Sequence, residues 1–199
     1  MHEAAHALAA KLQGDRTAER LGRLTLNPVP HIDMLGTIIL PLVMMMAGGG
    51  FFGWAKPVPV DERNLRNKRF GTAIVASAGP ISNLVVSALL IIGLQSLTIM
   101  DGDFGQGSLA YPFIELAKAM VWVNAILAFF NLVPLPPLDG GAVFSAFLTG
   151  RPKELYHEFI EPYGSWILLA LIITGGLRFV SVMSQVYITS VSRFAVNLF

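Results

Sequence analysis

Two long apolar runs decide what this chain can fold into. Thr72 to Met100 and Ala110 to Val133 each exceed the roughly 20 residues that an α-helix needs to cross a bilayer. Charged residues make up only 14% of the 199 positions, against about 25% in an ordinary soluble domain. An all-α polytopic membrane protein is therefore expected, embedded in a lipid bilayer. The loop between the runs, Asp101 to Ser108, carries two acids and no base, which points it to the outer side. Arg151 and Lys153 place the following loop inside. A last apolar stretch, Trp166 to Gly176, leads into a tail that reads equally as a tilted span or a surface-lying helix.

A third apolar stretch, Met34 to Trp54, behaves differently. Pro41 and Gly48-Gly49-Gly50 interrupt it, and basic residues flank both ends: Lys11, Arg16, Arg20 and Arg23 before, Lys56, Arg63, Arg66, Lys68 and Arg69 after. Both flanks prefer the cytoplasm, so a re-entrant or interfacial hairpin fits better than a plain span. Around it, Leu24 to Ile32 and Lys56 to Val60 read as short edge strands, because each proline pushes its predecessor out of the helical region. No internal repeat appears, and residues 1–199 read as a single membrane-embedded domain. No basic patch with interleaved aromatics is present, so no nucleic-acid partner is expected.

Chemistry concentrates at the start of the chain. His2-Glu3-Ala4-Ala5-His6 is an H-E-x-x-H pattern followed by the strong helix formers Ala7-Leu8-Ala9-Ala10. On a helix, His2 and His6 share one face at the spacing that grips a single Zn²⁺, and Glu3 lies where it can deprotonate a water. The alternative is two ordinary packed or solvated histidines. With no cysteine in the chain, a transition metal must be held by imidazole and carboxylate, which suits zinc. No leader peptide is expected, since the chain opens directly on the motif. The first helix is instead expected to continue upstream of Met1, because His2 to Leu12 is too short to span.

A catalytic zinc site needs a third protein ligand and one open position. Asp139 lies about a dozen residues before Arg151, so it and His6 sit at similar shallow depth near one membrane face. Pro134, Pro136 and Pro137 precede Asp139 and Gly140-Gly141 follow it. The prolines deny helical hydrogen bonds and the glycines allow backbone conformations closed to other residues. Asp139 is then a third ligand or a hydrated loop acid. Asn83, one turn after Gly79-Pro80, is helix-to-helix glue or a donor facing a cavity. Asn131 reads as capping or loop support, and Glu115 and Lys118 as a local pair. His31 and Asp33 read as a turn rather than a metal pair.

The ordered set H-E-x-x-H, G-P-x-x-N, N-x-x-P-x-P-x-L-D-G-G resembles the site-2 protease family of intramembrane zinc metalloproteases. The stretches Leu26-Asn27-Pro28-Val29-Pro30-His31-Ile32-Asp33 and Phe52-Gly53-Trp54-Ala55-Lys56-Pro57-Val58-Pro59-Val60 resemble its compact prokaryotic branch without a PDZ domain. The resemblance covers about residues 1–150. It implies one zinc ion held by His2, His6 and Asp139, Glu3 as the base that activates water, and Asn83 holding substrate or polarising the scissile carbonyl. It also implies a transmembrane protein substrate, a prokaryotic cell membrane and an active site near the cytoplasmic face. Two other readings stand beside it: an inactive membrane protein that binds a partner helix in the same groove, and an ion transporter.

Overall fold

The computed structural model describes residues 1–46, 53–67, 69–99 and 108–198. The Gly48-Gly49-Gly50 break and the acidic loop at 101–107 lie outside them. Nine α-helices are found among the described residues: α1 (His2–Leu12), α2 (Thr17–Arg20), α3 (Leu40–Met46), α4 (Phe70–Ile99), α5 (Tyr111–Asn131), α6 (Asp139–Phe147), α7 (Arg151–Leu155), α8 (Gly164–Ile173) and α9 (Arg178–Val196). Within α4, α5 and α9 lie segments long and apolar enough to cross a membrane: Phe70–Leu97, Tyr111–Asn131 and Arg178–Val196. The protein is an all-α polytopic membrane protein. The chain forms two compact units, Met1–Ala78 and Gly79–Phe199, with the boundary inside α4.

In the first unit, α1 and α2 both end by the same device. Gly14 (φ 110°) and Gly22 (φ 67°) take the left-handed conformation that only glycine adopts cheaply. The next amides then reach back, Asp15 N–H to the Ala10 carbonyl at 2.9 Å and Arg23 N–H to the Ala18 carbonyl at 2.8 Å. These stops aim two side chains at the segment that precedes α4. Asp15, fully buried, accepts the Asp61 amide at 2.8 Å, the Asn64 side-chain amide at 3.1 Å and the Thr17 hydroxyl at 2.5 Å. Ala10, Leu65 and Val75 pack beneath this frame.

The apolar stretch after Ile32 turns back on itself. Asp33 caps its start, accepting the Gly36 amide at 2.7 Å. A π-helical turn, Met34–Ile39, runs into α3. Thirteen residues at 1.5 Å each reach roughly 20 Å, short of a span. Trp54 then donates its amide to the Gly36 carbonyl at 3.2 Å, and the Thr37 hydroxyl donates to the Trp54 carbonyl at 2.8 Å. The two ends of the stretch are hydrogen-bonded to each other, as a re-entrant hairpin requires.

The expected edge strands are not seen: no strand occurs among the described residues. Val29–His31 is a 3₁₀ turn. Residues 54–60 form no regular element: Pro57 and Pro59 lack the N–H groups that a ladder needs, and side chains take up the Val58 amide and the Lys56 and Pro57 carbonyls.

In the second unit, the tail is the helix α9, long and apolar enough to cross a membrane. The buried Ser87 hydroxyl donates to the Val121 carbonyl at 3.1 Å, joining α4 to α5. The Tyr187 hydroxyl donates to the Leu84 carbonyl at 2.5 Å, joining α9 to α4. Ile91, Val121 and Ala195 form an apolar cluster among these three helices. Asn131 donates to the Leu127 carbonyl at 2.9 Å and supports the end of α5. Glu115 and Lys118 form the expected local pair at 2.8 Å.

The Asp15 frame carries a pH signature. Burial works to raise its pKa, but the bonds from Thr17, Asp61 and Asn64 outweigh it and hold the carboxyl below its ordinary 3.8. Because the folded value is depressed, the stability it contributes is complete above 3.8 and fades as pH falls toward the lowered folded value. Asp15→Asn is expected to cost about 1–3 kcal/mol at neutral pH and to flatten the acid limb of thermal melts in detergent. Superimposable acid limbs for the two proteins would contradict this.

Candidate metal centre

The motif helix α1 is built from Ala, Leu and Lys around two histidines, with Glu3 in its first turn and Lys11 in its last, where each charge suits the helix dipole. His6 is buried, and its Nδ1 lies 2.7 Å from the Val75 carbonyl on α4. A carbonyl oxygen can only accept, so Nδ1 carries the proton and Nε2 carries a lone pair. That lone pair faces Nε2 of His2 at 3.0 Å, with the two rings edge to face and their centroids 4.6 Å apart.

This arrangement fits a cation. Two zinc–nitrogen bonds of about 2.0–2.1 Å at a tetrahedral angle place the nitrogens roughly 3.3 Å apart. The observed 3.0 Å is close to that spacing. The Val75 carbonyl would orient this imidazole as a ligand and raise its basicity.

Glu3 is half-buried on the adjacent side of α1. Its Oε2 accepts the Val58 amide at 3.1 Å, so the base candidate is held by the irregular segment before α4.

In the second unit, Asp139 opens α6, where the helix dipole favours a carboxylate. The sequence reading assigned Gly140-Gly141 to special backbone conformations. Their role is different: neither has positive φ among the described glycines. A Cβ on Gly140 would collide with the Val133 carbonyl oxygen, and one on Gly141 would lie 2.8 Å from Pro136 N. The first turn of α6 rests directly on the backbone of the preceding loop, and a side chain at either position would lift it off. The Tyr156 hydroxyl, donating to the Gly141 carbonyl at 3.3 Å, braces the same turn.

Asn83 is 2% exposed on α4, three residues beyond Pro80. His31 and Asp33 do not form a metal pair. The His31 Nε2 bonds the Thr25 carbonyl at 3.1 Å while Asp33 caps the turn at Gly36.

The chain is similar to known proteins. "Putative zinc metalloprotease YwhC" of Bacillus subtilis is 36% identical over 202 aligned residues, which cover 94% of this chain and 87% of that protein. The chain belongs to peptidase family M50, the site-2 protease family. The family signature matches residues 95–175, a range that includes Asp139 and its flanking glycines. "Putative zinc metalloprotease Rip2" of Mycolicibacterium smegmatis is 30% identical over 187 residues, 89% of this chain and 64% of that protein. The Mycobacterium tuberculosis H37Rv protein of the same name is 28% identical over 182 residues, 87% and 61% respectively. No solved structure matches. As an M50 member with three apolar helices of spanning length, the chain is a membrane metallopeptidase.

Two groups around this candidate site carry no sequence signal, the Val75 carbonyl and the Val58 amide. Both are backbone groups, which no side-chain motif can flag.

The close approach at Gly140 gives a sharp expectation. Gly140→Ala should destabilise the protein by about 1–3 kcal/mol or more in thermal or denaturant unfolding. Gly93→Ala on α4, where a Cβ meets open space, should change stability by no more than about 1 kcal/mol. Equal effects at the two positions would contradict the packing of α6 on its loop.

Proposed function

We propose that this protein hydrolyses a peptide bond in or near a transmembrane segment of a membrane-protein substrate, with one zinc ion held by His2, His6 and Asp139. The observation that carries the reading is the facing pair of Nε2 atoms at 3.0 Å, with the His6 tautomer set by the Val75 carbonyl. The donor chemistry supports it: two imidazoles and a carboxylate are a set that suits zinc, and three protein ligands are what a catalytic zinc takes. The names of the Bacillus and mycobacterial relatives carry zinc and proteolysis as well.

Bound zinc supplies Lewis acidity, making water a nucleophile at neutral pH and polarising a carbonyl. The chain's own groups do the rest. Glu3 takes a proton from the attacking water and returns one to the leaving amine. Asn83, buried on a membrane helix, donates to the oxyanion or holds the substrate backbone. A helical substrate hides its carbonyls in hydrogen bonds, so it must unwind before attack. Both units act together as one metalloprotease domain in a prokaryotic cell membrane, with the site near the cytoplasmic face.

The test uses single-span membrane proteins co-reconstituted with the protein in proteoliposomes, with new termini read by mass spectrometry. Wild type should cleave within or beside the span, and chelation should abolish cleavage. Glu3→Gln should keep its metal while losing about 10²–10⁴-fold in rate. Wild-type turnover by Glu3→Gln would refute the assigned base. Stoichiometric metal without cleavage of any substrate would favour a non-catalytic protein that binds a partner helix.

A further inference from the structure

The segment that holds Glu3 is itself held from the other side. Arg23 is 7% exposed, and among the described residues no carboxylate pairs with it. Its Nη2 donates instead to two successive backbone carbonyls, Lys56 at 2.6 Å and Pro57 at 3.2 Å. The next amide along the chain is Val58, and its N–H donates to Glu3 Oε2. Pro57 and Pro59 carry no N–H, so within residues 57–59 the Val58 amide is the sole backbone donor.

Several features make this a directed arrangement rather than a loose contact. A charged donor makes a stronger bond to a carbonyl than a neutral one does, and the guanidinium uses its Nη2 on both carbonyls while its buried Nε has no partner among the described residues. The left-handed Gly22 turns the chain at the end of α2 so that Arg23 follows at once in the position that closes the helix. The Lys56 amide, donating to the His31 carbonyl at 2.9 Å, fixes the preceding peptide, so that Lys56 is held on both sides. Once the carbonyls of 56 and 57 are fixed, the direction of the Val58 N–H is fixed as well, because the intervening proline has only one soft dihedral.

We propose that Arg23 is a positioning residue for the general base: it fixes the Lys56 and Pro57 carbonyls so that the Val58 amide pins the Glu3 carboxylate. This rests on the proteolytic reading for what Glu3 does, but not for how it is held. A carboxylate free to swing misses the reacting water, and misplacement of about 1 Å can cost about 10²-fold in rate. Arg23 therefore acts on turnover rather than on substrate affinity or metal binding.

Hydrogen exchange on the whole protein in detergent, read on peptides covering 57–59, isolates the Val58 amide. Arg23→Ala should speed exchange there by about tenfold or more while α4 stays protected. Arg23→Lys, which keeps one donor for the carbonyls, should restore most of the protection. With the best-cleaved substrate of the proteoliposome pool, Arg23→Ala should lower kcat by about tenfold or more, leave KM within about threefold, and retain its metal. Where Arg23→Ala loses protection throughout α1 as well, Arg23→Gln decides by the same readings. Unchanged Val58 exchange, or a loss confined to KM, overturns the proposal. Full activity in Glu3→Gln would defeat the assigned base and this role with it. Full activity in Arg23→Ala beside an inactive Glu3→Gln would defeat the role of Arg23 alone.

Discussion

The hydrogen bond from His6 Nδ1 to the Val75 carbonyl is the contact on which the rest of the site depends. It joins the motif helix to the membrane helix α4 at 2.7 Å, settles the tautomer of the buried ring and turns its remaining lone pair toward His2. Without it the imidazole has two equivalent ways to face, and only one presents Nε2 to a shared cation. The bond asks for a carbonyl at one place on α4 and for little else, so the residue that supplies it is free to be an ordinary valine.

A second constraint follows from the irregular backbone around α1. Segments with few internal hydrogen bonds persist at membrane depth only where protein receives their polar groups. Here three side chains from the first helices do so in sequence along one strip of chain. Arg23 takes the carbonyls of 56 and 57, Glu3 takes the amide of 58, and Asp15 takes the amide of 61 and the side chain of Asn64. Glycine-terminated helix ends at Gly14 and Gly22 aim two of these three. The same strip that shapes the approach to α4 thus holds the proposed base.

Much of this was legible beforehand, and for physical reasons. Runs of apolar residues announce membrane helices because lipid imposes a length, and α4 and α5 begin and end within a few residues of the expected limits. The return of the stretch after Met34 was readable from basic charge on both flanks, and the bonds between Gly36, Thr37 and Trp54 agree with it. The tail was undecidable because α9 is less apolar than the other two, and its placement rests on packing against Val121 and on the Tyr187 hydroxyl. Edge strands were expected from prolines that in fact prevent a ladder. The glycines after Asp139 were noticed for conformational freedom, whereas what matters is the absence of a Cβ against a backbone that sequence cannot place. Arg23 reads from sequence only as one more basic residue flanking the apolar stretch, because its burial depends on contacts more than 30 residues away.

The central claim is a single cation bound by two imidazoles and one carboxylate. X-ray absorption on the zinc-loaded protein tests it most directly. The account predicts one zinc per chain in a four-coordinate shell with two imidazole nitrogens at about 2.0–2.1 Å and oxygen donors beside them, and a loss of one oxygen donor or of the metal itself in Asp139→Ala. A spectrum lacking paired imidazoles, or one that is identical in wild type and Asp139→Ala, would contradict it.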